Sequence, residues 1–288
     1  MNNYVIITDS GTDFTREMAA EYGVKVIDLM VSVEGQEPIA NGKIDPKALY
    51  AMLRDKKSVS TSAVNLESAK AEMEKHLKEG FDVLYLGFSS GLSSTFHAGS
   101  LAADELSEEY PDRKVYAVDT LCASLGQGLL VYFAAMMRKN GADIEEVKTF
   151  VEDNKLNLCH WFTVDDLFFL KRGGRVSGAT AVVGTMLGIK PVMHVDDDGK
   201  LVKVTVARGR KASVDALFDK IKEDLIEEPK DATVFISHGD CYEDAKYLGD
   251  RITSELGVKT LEIGYVGPVI GSHSGPGTLA LFYLGKRR

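Results

Sequence analysis

Cysteine is scarce. The three in the chain, Cys122, Cys159 and Cys241, are widely spaced, odd in number and never in a CxxC pair, which excludes a disulfide framework and a zinc knuckle. No uninterrupted apolar run approaches the ~20 residues that cross a bilayer. The start, MNNYVIITDS, enters a strand pattern without the basic lead and long apolar stretch of a secretory signal. A reducing cytoplasm, with at most peripheral contact with membranes, is the expected setting. Positive charge is also short: 34 Lys and Arg against 43 Asp and Glu leave a net charge of −9. That is the wrong sign for non-specific binding to nucleic acid. HExxH, paired-cysteine and clustered-carboxylate patterns are missing, as are GxxxxGKS/T and GxGxxG. Neither a metal nor a nucleotide cofactor is indicated. There is no internal repeat and no low-complexity tract.

What is present is a globular balance, 44% hydrophobic and 27% charged over 288 residues, enough for one large or two ordinary domains and a core without staples. The first half alternates. Residues 4–8, 24–33, 82–88 and 114–118 read as strands; 14–22, 45–55, 65–79, 96–106, 125–138 and 143–153 read as helices. Gly23 suits a helix C-cap, and Asp45-Pro46 an N-cap followed by proline at the first helical position. Ser58 to Ser62 reads as a polar loop. Such alternation predicts a parallel sheet with helices on both faces, whose ligands sit outside the carboxyl ends of the strands. Three strands end there in Asp9-Ser10, Ser89-Ser90 and Asp119-Thr120.

From Leu156 the pattern changes. A strand at 156–164 leads to an apolar helical turn, the cationic loop KRGGRVSG and an apolar helix at 179–187. A hairpin follows, 189–195 and 201–207 about the turn DDDG. Then come a helix at 213–226, a strand at 232–238, a helix at 242–256, a strand at 259–265, a glycine-rich loop at 267–277 and a last strand. This half reads as α+β with a mixed sheet. The boundary falls near residue 157, giving an α/β domain at 1–157 and an α+β domain at 158–288.

Several groups have the chemistry of a site. Thr61-Ser62 and Ser93-Ser94 are hydroxyl pairs beside helices, ~30 residues apart as in successive units of one sheet. Hydroxyls with helix N–H groups suit a carboxylate or phosphate; helix capping is the plain alternative for each. His273 lies in GSHSGPG, where glycines allow close backbone approach to a ligand. Lys171, Arg172 and Arg175, and Arg208, Arg210 and Lys211, are basic clusters on an acidic chain. They suit an acidic partner, or simply a solvated loop. Gly87 to Gly91 also fits the G-x-S-x-G elbow of a serine hydrolase. Ser89, Asp119 and His273 would stand in the required order, although the helix starts late for a tight elbow.

In order along the chain stand ITDSGTDF, STS, GFSSGLSSTF, VDTLCASLGQG, LKRGGRVSG, IKPVMHVDDDGKL, RGRKA and GPVIGSHSGPGTLALFY. This ordered set resembles the DegV family of bacterial fatty-acid-binding proteins over nearly the whole chain. The resemblance implies two domains, the first Rossmann-like. A long-chain fatty acid such as palmitate or a C18 acid would lie between them, its tail in an apolar tunnel. It implies no cofactor and no catalysis by the chain itself: a separate dihydroxyacetone-kinase-like ATPase phosphorylates the presented carboxylate. By the same resemblance Thr61 and Ser93, with Ser62 and Ser94 beside them, bind the carboxylate. His273 completes the head-group site and Arg175 stands nearby. Arg208 and Arg210 face the kinase. Ser94 departs from the family's usual glycine and adds a hydroxyl. Phe162 to Leu170 and Val182 to Met193 are candidate tunnel walls, or ordinary core.

Overall fold

The computed structural model describes residues 3–177 and 188–288. In the first half, β1 (Tyr4–Asp9) is followed by α1 (Arg16–Tyr22), β2 (Lys25–Ile27), β3 (Met30–Val33), β4 (Ile39–Ala40), α2 (Pro46–Arg54), β5 (Val59–Ser62) and α3 (Leu66–Lys78). Then come β6 (Asp82–Gly87), α4 (Thr95–Glu109), β7 (Val115–Asp119), α5 (Leu125–Lys139) and α6 (Ile144–Asn154). β2, β1, β6 and β7 form, in that order, a parallel sheet. Its period-2 pattern sends alternate residues to opposite faces. Ile6, Leu84 and Leu86 pack on α5 and α6, while Ile7, Val83 and Tyr85 pack on α3 and α4. The Asp9 and Asp119 ends share one rim, as the alternation requires.

The second half contributes β8 (Leu158–Thr163), α7 (Leu167–Arg172), β9 (Ile189–Val195), β10 (Leu201–Arg208), α8 (Arg210–Asp224), β11 (Thr233–His238), α9 (Tyr242–Arg251), β12 (Thr260–Tyr265), α10 (Pro268–Ser274) and β13 (Leu279–Leu284). Its six-stranded sheet runs β10-β9-β8-β13-β11-β12; only β11 and β12 pair in parallel. One face carries Trp161, Val234, Ile236 and Leu281 against α8 and α9. The other carries Phe162, Phe235, Ala280 and Phe282 into the same core as α5. α5 is thus buried between the two sheets. Contact there is close: a β-carbon on Gly126 would meet His160 Nε2 at 2.3 Å and Phe282 at 2.7 Å. Gly126→Ala is expected to destabilise the protein by about 1–3 kcal/mol through overpacking, read from chemical denaturation midpoints at unchanged slope.

Three readings need correction. Residues 24–33 are not one strand. Leu29 N–H donates to Ser10 Oγ at 2.9 Å, and Asp28 accepts from Gly42 N–H at 2.9 Å. These bonds turn the chain out of the first sheet. Residues 58–62 are not a loop: β5 pairs antiparallel with β3, Thr61 opposite Val31. Residues 267–277 are not all loop either, since Pro268 opens a helix at its first position. The helix expected at 179–187, and with it Val182, lies outside the described residues.

Candidate functional site

A cavity of about 270 Å³ lies against the α5-facing side of the six-stranded sheet. Its floor comes from register partners: Phe162 stands opposite Ala280, and His160 opposite Phe282. Val195 and Leu201, also paired, continue it. α10 lays Val269 and Ile270 over the space, with Leu29, Phe88 and Leu170 around it. These walls are almost wholly hydrocarbon.

Polar groups converge on part of the wall. β5 brings Thr61, the start of α4 brings Ser93 and Ser94, α10 brings His273, and the loop after α7 brings Arg175. Thr61 Oγ1 and His273 Nε2 are 2.7 Å apart. The first glycine of RGGR is required for packing here, because a β-carbon on Gly173 would lie 2.3 Å from His273 Nδ1. Burial, and then Arg175 and Arg172, push the His273 imidazole down to about 4, so it is neutral at neutral pH. Arg175 spans the site's edge: Nε donates to Leu92 O at 3.1 Å and Nη1 to Gly173 O at 2.5 Å. Burial lowers its pKa, a direction that marks a guanidinium short of water. Ser93 Oγ accepts from Thr95 N–H at 3.2 Å and pairs with Thr95 Oγ1 at 2.9 Å. That geometry fixes its hydroxyl at the helix start. Ser94 is exposed and makes no side-chain cap bond. Hydroxyls, a neutral imidazole and a guanidinium at the edge of an apolar space can hold one carboxylate.

Not every expected residue joins them. Ser62 alternates to the other side of β5, is exposed and does not line the cavity. Arg208 is exposed at the end of β10. Arg210 is already engaged, with Asp244 Oδ2 at 2.9 Å and Asp165 Oδ1 at 3.7 Å. The hydrolase triad is not assembled. Ser89 is fully buried and donates to Gly199 O at 2.8 Å. Asp119 accepts from Leu121 N–H at 3.0 Å, and His273 is turned to Thr61. A nucleophile needs its base within hydrogen-bond reach, and Ser89 has spent its proton on a carbonyl.

Two supports went without a role: the sequence set Asp9 at the rim of the sheet and made no site residue of His160. Asp9, fully buried, accepts from the Tyr85 hydroxyl at 3.0 Å, Phe88 N–H at 2.8 Å and Gly11 N–H at 2.9 Å. It thereby anchors the loop that leads to Ser93. Burial raises its pKa against those bonds. His160 is a second wall residue. It accepts from Ala123 N–H at 3.3 Å on Nε2, leaving Nδ1–H to donate to Leu158 O at 2.9 Å. Both nitrogens are spent, so the ring presents carbon to the cavity. The run ITDSGTD was the signal for Asp9, since a carboxylate at a strand end beside glycine faces a rim of backbone N–H groups.

A family model described as an uncharacterised protein of the DegV family matches residues 3–286. The chain belongs to the DegV family. A DegV domain-containing protein of Clostridium perfringens is 44% identical over 290 residues, covering 100% of this chain and 99% of that one. Among solved structures, a DegV-family protein from Thermus thermophilus, described for its fatty acid binding, aligns with a TM-score of 0.88 at 29% identity. That alignment covers 98% of this chain and 99% of its own. A DegV lipid-binding protein from Thermotoga maritima aligns with a TM-score of 0.86 at 30% identity over 100% of both chains. The two-domain α/β architecture is that of the DegV structures. Among the described residues no cluster suits a metal ion, and no helix is long and apolar enough to cross a membrane.

Proposed function

We propose that this DegV chain is a cytoplasmic carrier that binds a long-chain fatty acid in the cavity. Thr61, Ser93 and His273 hold the carboxylate, Ser94 and Arg175 flank it, and the tail lies over Phe162, Ala280 and Phe282. One observation supports the reading: a largely apolar cavity whose wall brings together Thr61, Ser93, Arg175 and His273. Burying a methylene is worth roughly 0.8 kcal/mol, so a sixteen-carbon chain gains on the order of 10 kcal/mol gross. Ordering the tail offsets part of this. The hydrogen-bonded head contributes less and fixes direction. The chain then presents the carboxylate to a separate fatty acid kinase and does no chemistry itself, in keeping with the spent proton of Ser89. Arg208, exposed beside α8, suits an acidic patch on that kinase; Arg210 would first have to leave Asp244.

Native mass spectrometry of the purified protein, with extraction of any bound lipid, tests the reading. A mass increment matching a C16 or C18 acid is expected. A ligand-free protein that also fails to take up added palmitate would end it. Ser93→Ala is expected to weaken palmitate binding by about tenfold, the loss of one hydrogen bond to a charged group. Phosphorylation by a fatty acid kinase should fall further, because transfer depends on head-group position. Equal phosphorylation of the two proteins would remove Ser93 from that role.

A further inference from the structure

Four segments distant in sequence meet at one carboxyl beside the cavity. Asp13 ends the turn after β1 with a left-handed backbone, φ 57°. Ser124, just before α5, has φ 57° and ψ −152° and lines the cavity. Its hydroxyl donates to Asp13 Oδ2 at 2.5 Å and takes the proton of Ser237 Oγ at 3.0 Å. Asp13 Oδ1 is buried and has no aligned hydrogen-bond donor among the described residues. It lies so close to Gly267 that a β-carbon there would sit 2.5 Å away. Gly267 is the residue from which α10 starts.

Glycine takes positive φ without strain, and this chain has 27 glycines. Asp and Ser nevertheless hold these two positions, bonded to each other. Their side chains therefore do what glycine could not. The start of α10 is also held by hydrogen bonds. Val269 N–H donates to Asn41 Oδ1 at 2.8 Å, and the Tyr50 hydroxyl donates to Val266 O at 2.8 Å. Asp13 packs against the same start at Gly267, and it also reaches the cavity wall through Ser124.

We propose that Asp13 is a positioning residue for the head-group site, acting through Ser124 and Gly267 to set where α10 holds His273 against Thr61. The inference rests on the fatty-acid reading for its binding consequence only; its geometric consequence stands apart. The test is the titration of the His273 imidazole by NMR in ligand-free protein, beside palmitate affinity by displacement of a fluorescent fatty acid. In Asp13→Ala the imidazole midpoint should rise from about 4 by about one unit or more as the ring loses its enclosure. Palmitate affinity should fall about tenfold or more, as when a site is displaced by a fraction of an ångström. Asp13→Asn keeps an oxygen for Ser124 and should stay close to the parent in both. A folded Asp13→Ala protein with an unmoved midpoint overturns the proposal. If that variant does not fold, Gly267→Ala pushes on the same contact from the helix side. It too should move the midpoint, and an unmoved one is equally fatal. A parent protein that binds no palmitate removes the fatty-acid reading, while the titration still decides the role of Asp13.

Discussion

Ala280→Phe is expected to lower fatty-acid affinity by about two orders of magnitude while the protein stays folded. Ala280 lies on the cavity floor opposite Phe162, one strand position from the residues that face α8 and α9. Ala280 also lines the cavity, so a ring there is expected to enter that space, and the overpacking penalty that attends most small-to-large changes is reduced. The space it fills is that of about four methylenes, worth roughly 3 kcal/mol of lost burial. Isothermal titration with palmitate, or native mass spectrometry of the copurified complex, reads the loss. Thermal unfolding of ligand-free protein should change little. If the variant keeps parental affinity, the tail does not run over β8 and β13.

The second large effect follows from His273 and acid. Its midpoint of about 4 in the folded protein is below the ordinary ~6.5 of an unfolded chain. Between those values the unfolded chain binds more protons, so folded stability falls as pH falls from about 6.5 to 4, by up to about 3 kcal/mol. Above 6.5 the group costs nothing. Asp13 has the opposite sign. Burial, opposed by Ser124 and the nearby Gly267 amide, raises its carboxyl to about 7. The folded state then gains stability as pH falls from about 7 toward 4. The difference between the parent and His273→Gln isolates the histidine: denaturation at pH 7 and at pH 4.5 should show a shallower acid loss in the variant. An identical loss in both would refute the assignment. A bound carboxylate beside the imidazole favours its charged form, so palmitate binding should take up protons below pH 7. It should strengthen with acid until the ligand's own carboxyl protonates, and the His273→Gln protein should lack that trend.

The fold was legible where burial is periodic. The paired strands 4–8 and 82–88, the helix of 65–79 and the DDDG hairpin all follow from side-chain pattern and turn chemistry. What failed was short and polar. SVSTS has one strongly apolar residue, so nothing local shows that Val59 and Thr61 face inward while Ser60 and Ser62 do not. Only pairing with β3 makes it a strand. The same alternation removes Ser62 from a site in which Thr61 stands. Residues 24–33 look continuous because Asp28 and Leu29 leave the first sheet for partners at Gly42 and Ser10, too far along the chain for a local window. In GPVIGSHSGPG the glycines argued for a loop. Tertiary packing overrides them: Gly271 sits where a β-carbon would strike the Tyr50 hydroxyl at 2.5 Å. Thr61, Ser93, His273 and Arg175 stood out by their chemistry and took their roles from the family resemblance, and the structure gathers them at one cavity. Ser124 has a strained backbone that no residue type announces, and Asp13 is known as its partner only from the folded structure.

α5 is a party wall. Its dry flanks are shared, one with Leu84 and Leu86 of the first sheet and the other with Phe235 and Phe282 of the second. Neither half could be expressed alone without turning an oily surface toward solvent. Swinging the halves apart like a clamshell would expose both of those flanks. Any ligand of the cavity would then enter by a local shift of its lining, where β5, α7 and α10 contribute Thr61, Leu170 and His273.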